Sequence, residues 1–369
     1  MSVAYLDHAS TSPLRGAARS AMQEWLLDDV TGDPGRIHSS AMAVRAQLEH
    51  ARSQIAAFFG AASRSVVFTS GATEAIASAC WGGAAIGDHQ VITAIEHSAV
   101  RRSAEQFSTA VTIVGCNSQG QVDVDEVLSA INADTAMVHV QWGNHEVGTL
   151  QPIHRVIEAC RERGVLVHVD AAQAAGHVPI DFDALGADLM SVSAHKMGGP
   201  AGIGALLVRR GIRLRPLIVG GDQERARRAG LENVLGAIGW AAACNGAVID
   251  PERERALSDR IAAIASGIDG VVVLGDRADR LPHITCVTIA GVEPQGVLLG
   301  LDQRGIAAHS GSACSSEDLL PSPVLEAMGI DAHHSLRLSV GWSTSDADID
   351  RLAGALPEVI SYLRSLAGS

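Results

Sequence analysis

The sequence predicts an α/β protein, with a large domain on a mostly parallel seven-stranded sheet and a smaller α+β domain beside it. Three observations carry that prediction. The chain has 369 residues, long for one compact domain. From about Ser65, short β-branched runs alternate with helical patterns, as repeated strand–helix units do. After about Pro251 the alternation gives way to a charged helical stretch and a new set of short strands. The large domain is therefore placed at 12–250, and the small one at 1–11 together with 251–369.

In chain order the strand candidates are SVVFTS (65–70), QVITA (90–94), AVTIVG (110–115), TAMVHVQWG (135–143), GVLVHVD (164–170), DLMSVSAH (188–195) and GIGALLVRR (202–210). Several are apolar throughout, which suits strands covered on both faces. Between them, 153–163 reads as a helix, with Ile153, Val156, Ile157 and Cys160 on one face. The later part opens on a charged helix at 251–268, followed by VVVLG (271–275), HITCVTIA (283–290), GIAAHSGS (305–312) and LRLSVGW (336–342). The last segment begins with a capping box, Ser345 to Asp348, and carries Ile349, Leu352, Leu356, Val359, Ile360 and Leu363 at helical spacing. Pro357 is expected to kink or restart that helix. Ligands of such sheets collect beyond the carboxyl ends of the strands, so polar residues there carry the most functional weight.

Composition narrows the function. Apolar residues make up 47% and charged ones 19%, which supports a sizeable core and argues against disorder. A net charge of −13 argues against a nucleic-acid surface, which needs clustered Lys and Arg. Short basic clusters such as Arg225, Arg227 and Arg228 remain possible anion sites. The opening residues lack a basic stretch followed by an apolar one, and the weakly polar run 236–249 is too short to span a bilayer. The reading is a soluble, cytoplasmic protein without a membrane partner. Six cysteines without a CxxC suggest neither a disulfide framework nor a metal site. Five sit in or beside apolar or Ala-rich segments. Cys314 alone lies in a run of Gly and Ser.

Four strand ends carry candidate chemistry. SGATE (70–74) is a Gly-containing turn at a probable helix start, where backbone N–H groups and the Thr73 hydroxyl would hold a phosphate; a plain helix cap looks identical. In HVDAAQ (168–173), Asp170 ends a buried strand and suits a cationic ring nitrogen, such as the pyridinium of pyridoxal phosphate, or else caps a helix. In SVSAHK (191–196), Lys196 follows an apolar strand beside Ser193 and His195, as a Schiff-base lysine would; a surface lysine is the plain alternative. In IEHSAV (95–100), His97 could stack on a ring and move protons near neutral pH, or be structural.

Taken in order, these motifs resemble the cysteine desulfurases of the NifS-like class, fold-type I enzymes that use pyridoxal phosphate. The resemblance runs nearly end to end, through YLDHASTSP (5–13), GDPGRIHS (32–39), GNHEVGTLQPI (143–153), HKMGGPAGIGALLVRR (195–210), GGDQERARRAGLENV (220–234), SGSACSS (310–316) and SLRLSVG (335–341). It implies that Lys196 is the aldimine lysine, Asp170 the pyridinium partner and Gln173 a donor to the ring hydroxyl. It implies that His97 stacks on the ring and serves as acid and base. Thr73, Ser193 and His195 would hold the phosphate, with backbone from Ala72. Arg337 and Asn144 would bind the substrate, Arg337 through its carboxylate. Cys314 would attack the sulfur of L-cysteine, keep it as a persulfide and release alanine. A homodimer is implied, and a sulfur acceptor: an iron–sulfur scaffold, a tRNA-thiolating enzyme or a DNA sulfur-modification protein.

Three positions depart from the family pattern. His145 stands where the family has a second Asn that contacts the cofactor ring. Leu231 replaces a Thr that reaches the phosphate from the partner subunit, and Asp222 replaces a glycine. Two other readings stay open at this point: a related lyase or aminotransferase without sulfur relay, such as a selenocysteine lyase, and a cofactor-poor scaffold.

Overall fold

The computed structural model describes residues 3–28, 30–310 and 321–367. After a short β1 (Ala4–Tyr5), the seven runs expected of the large sheet all form strands: β2 (Val66–Thr69), β3 (His89–Thr93), β4 (Ala110–Val114), β5 (Thr135–Gln141), β6 (Leu166–Asp170), β7 (Leu189–Ser193) and β8 (Gly204–Val208). They make one sheet in the order β2-β8-β7-β6-β5-β3-β4. Strands β4, β3, β5, β6 and β7 are parallel, whereas β8 is antiparallel to both β7 and β2. The reason is the length of the connection. Only residues 194–203 separate β7 from β8, too few for the dozen or so a parallel crossover needs. That tight link holds Lys196 at the carboxyl end of β7.

Strands β5, β7 and β8 are buried at every position, which explains why their sequences do not alternate. Some of their polar residues pair across the strands. His139 of β5 stands beside His168 of β6, ring nitrogens 3.0 Å apart, and its Nε2 lies 2.9 Å from Gln90 Oε1. Helices cover both faces: α1 (Gly16–Leu27), α2 (Ser39–Phe58), α3 (Ala72–Gly83), α4 (Ser98–Phe107), α5 (Val124–Ser129) and α6 (Ile153–Glu162). Helix α6 buries the expected Ile153, Val156, Ile157 and Cys160. Trp240, wholly buried on the helix Val234–Asn245, meets Phe59 edge to face and donates its indole N–H to Met197 Sδ at 3.4 Å. That contact props the Lys196 turn from below.

The remaining strands are β9 (Val271–Val273), β10 (Ile284–Ile289), β11 (Ile306–Ala307) and β12 (Ser335–Ser339). β10 pairs antiparallel with both β9 and β12, while β1 pairs in parallel with β11. A second core gathers Leu6, Val287, Leu336, Leu338, Leu352 and Leu356 under them. The run expected at 305–312 yields only β11 and a bridge from His309 to Arg337; its last two residues lie outside the described ones.

The capping box forms as expected. The Ser345 N–H and Oγ donate to the Asp348 carboxylate at 2.8 and 2.7 Å, and the Asp348 N–H donates to Ser345 Oγ at 3.3 Å. One helix, Asp346–Ala367, runs through Pro357, so it does not restart there. Proline removes a single N–H, and the buried Leu356, Val359 and Ile360 around it hold the helix against the second core.

Candidate active site

A cavity of about 600 Å³ opens beyond the carboxyl ends of the parallel strands. Its wall includes Ala72, Thr73, His97, His145, Asp170, Gln173, Ser193, His195, Lys196 and Arg337, all expected from sequence. Asn144 is the exception. It is fully buried behind the wall, its amide donating to the Ile95 carbonyl at 3.2 Å and its Oδ1 accepting from the Glu146 and Val147 N–H groups, both at 2.8 Å. Its side chain folds the turn that presents His145, and every one of those bonds is to backbone.

One end of the cavity is built to take an anion. Gly71 caps α3 without a side chain, and a Cβ there would find only Ser193 Oγ, at 3.9 Å. The helix N-terminus therefore faces the cavity unobstructed. Ser193 Oγ is buried with no hydrogen-bond partner among the described residues. Glu74 is drawn back from this end. Its carboxylate accepts from the Ser70 N–H at 2.8 Å and pairs with Arg228 at 2.9 Å. Gly204 allows the close packing, since a Cβ would lie 2.6 Å from the Val192 carbonyl oxygen and 2.8 Å from Gly71.

At the end of β6, Asp170 Oδ1 accepts from the Ala172 N–H at 3.0 Å and from Ser191 Oγ at 3.1 Å. Burial raises its pKa above the ordinary value, so its ionised form gains from a cation in the cavity. Lys196 Nζ donates to the Ala9 carbonyl. Burial, with Arg337 nearby, lowers its pKa from 10.5 to about 7. An amine so placed has a substantial neutral, nucleophilic fraction near neutral pH.

His97 caps α4, and its Nδ1 accepts from the Ala99 N–H at 3.1 Å, which leaves the ring proton on Nε2. Burial, reinforced by His145, Lys196 and Arg337, lowers its pKa to about 3, so the ring stays neutral. His195 is also kept neutral, mainly by burial, with Thr11 Oγ1 3.1 Å from its Nδ1.

Gln173 donates to the same Ala9 carbonyl at 2.8 Å, and its Oε1 lies 3.3 Å from His283 Nε2. Arg337, on β12, donates to the His145 carbonyl at 2.8 Å, to Ser10 Oγ at 2.7 Å and to Asp7 at 3.3 Å. Its Nε is buried and has no partner among the described residues.

Several contributors were not visible in the sequence. Residues Asp7, Ala9 and Ser10 hold Arg337, Lys196 and Gln173 from a segment more than 160 positions away. Behind Gln173, the rings of His177 and His283 stack 3.5 Å apart at 9°, and His177 Nδ1 meets Glu254 at 2.8 Å. These three offer ligand atoms within 4.8 Å of one another. Parallel rings 3.5 Å apart cannot both point a lone pair at one ion, so this arrangement holds Gln173 rather than a metal.

The sequence profile of the class-V aminotransferases matches residues 4–352. The chain is 37% identical over 378 residues to the cysteine desulfurase IscS of Dictyoglomus turgidum, covering 98% of this chain and 96% of that relative. The chain belongs to the cysteine-desulfurase branch of the class-V aminotransferase family. A solved NifS-like protein superposes on this desulfurase-family chain with a TM-score of 0.90 at 28% identity, over 98% of this chain and 100% of that one. The protein SspA, solved in complex with cysteine, superposes at 0.81 and 28% identity, over 91% and 98%.

Against that family pattern the departures take physical form. Asp222 is exposed and lies away from the main cavity, so it brings no negative charge to the anion end. Leu231 is 64% exposed and borders a small cleft with Ser70 and Gly202. Arg225, Arg227 and Arg228 line a separate cavity and are engaged with Glu49, the Arg64 carbonyl and Glu74. Cys314 lies outside the described residues. Of the other cysteines, Cys80, Cys160, Cys244 and Cys286 are buried and Cys116 is partly so; burial raises the pKa of all five. A buried, protonated thiol is a poor nucleophile.

Proposed function

We propose that this chain binds pyridoxal phosphate and moves the sulfur of L-cysteine onto Cys314, releasing L-alanine. The observation that carries the reading is the meeting, in one cavity, of a Lys196 amine whose pKa is lowered to about 7, a buried Asp170, an open helix N-terminus and Arg337. The α3 turn, Thr73, Ser193 and His195 hold the phosphate, Asp170 the ring nitrogen, Gln173 the ring hydroxyl, and Lys196 the aldehyde carbon. When bound, the cofactor ring withdraws electrons from the substrate α-carbon.

The protein's own groups do the rest. Arg337 orients the substrate by its carboxylate, and Lys196 Nζ takes the α-proton. The Cys314 thiol lies five residues after His309, a cavity-wall residue; that length of chain reaches at most roughly 17 Å. In the net reaction a carbon–sulfur bond breaks, a sulfur–sulfur bond forms, and the proton of the attacking thiol ends on the carbon. Cysteine bound to SspA supports the substrate.

The protein acts as a homodimer and passes its sulfur to an acceptor protein, an iron–sulfur scaffold, a tRNA-thiolating enzyme or a DNA sulfur-modification protein. Exposed Ile37, Met42, Val219 and Leu231, on segments flanking one cleft, support a second copy there. Among the described residues no helix is long and apolar enough to cross a membrane; the reaction is placed in the cytoplasm.

The lowered pKa of Lys196 gives a direct test. Capture of pyridoxal phosphate by the apoprotein, followed by absorbance, should speed up with pH through a midpoint of about 7, as the amine loses its proton. A midpoint near 10.5, the ordinary lysine value, contradicts the assignment.

A further inference from the structure

His145 is held more loosely than the buried His89, His139 and His177. His89 has oxygen partners at 2.7 and 2.8 Å, His139 has partners at 3.0 and 2.9 Å, and His177 meets Glu254 at 2.8 Å. Those are structural rings. His145 instead has Gln141 Oε1 3.5 Å from Nδ1 and Glu146 Oε1 3.6 Å from Nε2, both beyond a good hydrogen bond. Each nitrogen faces an oxygen, and neither is locked by a short hydrogen bond.

Its position gives that freedom a use. The ring lines the same cavity as Lys196 and Asp170, and its own carbonyl receives Arg337, which anchors the substrate carboxylate in the reading above. An amino acid held there by its carboxylate brings its α-nitrogen next to residue 145. That nitrogen arrives as an ammonium ion and has no lone pair to offer until it loses a proton. His97, whose ring meets His145 edge to face at 5.2 Å, is a poor acceptor: its Nδ1 already accepts the Ala99 N–H, and burial holds the ring neutral. The charged and titratable groups around His145 are Glu146, Asp170, His97, Lys196 and Arg337, with His309 on the cavity wall beyond.

We propose that His145 is a catalytic base of this site, taking the proton from the α-ammonium group of the arriving amino acid. The proton moves from the substrate nitrogen to an imidazole nitrogen beside Glu146, and the freed amine carries the lone pair into the attack. No oxidant or further reactant is needed. The inference rests on the cofactor and substrate assignment above.

The test separates base catalysis from shape. Holoenzyme carrying His145→Asn is mixed with L-alanine, which has no thiol, and with aminooxyacetate, which has the same carboxylate but an unprotonated nitrogen at neutral pH. The loss of bound-cofactor absorbance is followed from pH 6 to pH 9. Capture of L-alanine should slow by about 10²-fold at pH 7, the usual scale for losing a general base, while capture of aminooxyacetate stays unchanged. His145→Gln, an amide of greater length, should behave as His145→Asn does. Equal slowing of both amines, or of neither, overturns the proposal. If the wild-type protein binds no pyridoxal phosphate at all, the functional reading itself has failed, a result distinct from either.

Discussion

Lys196→Ala is expected to lower alanine production from L-cysteine by on the order of 10⁴-fold or more, because one amine both holds the cofactor and moves the α-proton. The fold should survive. Lys196 sits on a short turn fixed by backbone and by Trp240 below it, and its side chain makes one hydrogen bond, to the Ala9 carbonyl. Stability should even improve in a pH-dependent way. A lysine with a folded pKa of about 7 and an ordinary value of 10.5 binds its proton more weakly when folded. The resulting penalty is full below about pH 7 and is relieved as pH rises toward 10.5. Apoprotein with Lys196→Ala should therefore gain most over wild type in the acidic part of that range, by denaturant titration. A variant that keeps normal turnover, or shows the same pH dependence of stability as wild type, contradicts the assignment.

Glu224→Ala is expected to destabilise the protein by about 3–5 kcal/mol, since it strands a buried guanidinium. Arg52 and Glu224 form a two-pronged pair, both contacts 2.7 Å, with side chains 3% and 1% exposed. Glu224 also accepts the Phe68 N–H at 2.9 Å, and the Arg52 guanidinium lies over the Phe68 ring at 4.5 Å. The backbone shows how firmly this pair holds. Glu224, Arg225 and Ala226 all adopt left-handed φ values, of 48°, 59° and 61°, an unfavourable run for residues with side chains. The pair pins that run to β2, next to the turn that opens α3. A loss below about 1 kcal/mol by denaturant unfolding would show that other contacts hold the segment.

Much of this was legible in the sequence for an identifiable reason. Strands buried on both faces must be apolar along their length, so the seven runs of the large sheet stood out, and polar residues at their ends had to be functional or capping. That placed Asp170, Lys196, Ser193 and His97 at one edge. The antiparallel direction of β8 was legible only through the shortness of 194–203. Contacts made across long stretches of chain left no local mark: the Ala9 carbonyl shared by Lys196 and Gln173, the Arg52–Glu224 pair, and the His177, Glu254 and His283 group. The direction Asn144 faces, with its side chain bonded to backbone behind the cavity wall, was not legible from its motif.

The central claim is that Cys314 receives the sulfur. Intact-mass measurement of the purified holoenzyme after brief exposure to L-cysteine tests it most directly, with peptide mapping to locate the gain. Wild type should gain the mass of one sulfur atom on the peptide containing Cys314, and the gain should vanish with a thiol reductant. Cys314→Ala should show none while still taking up cofactor. A wild-type protein that releases alanine with no sulfur on Cys314, or a Cys314→Ala variant that still carries the added sulfur, would contradict the account.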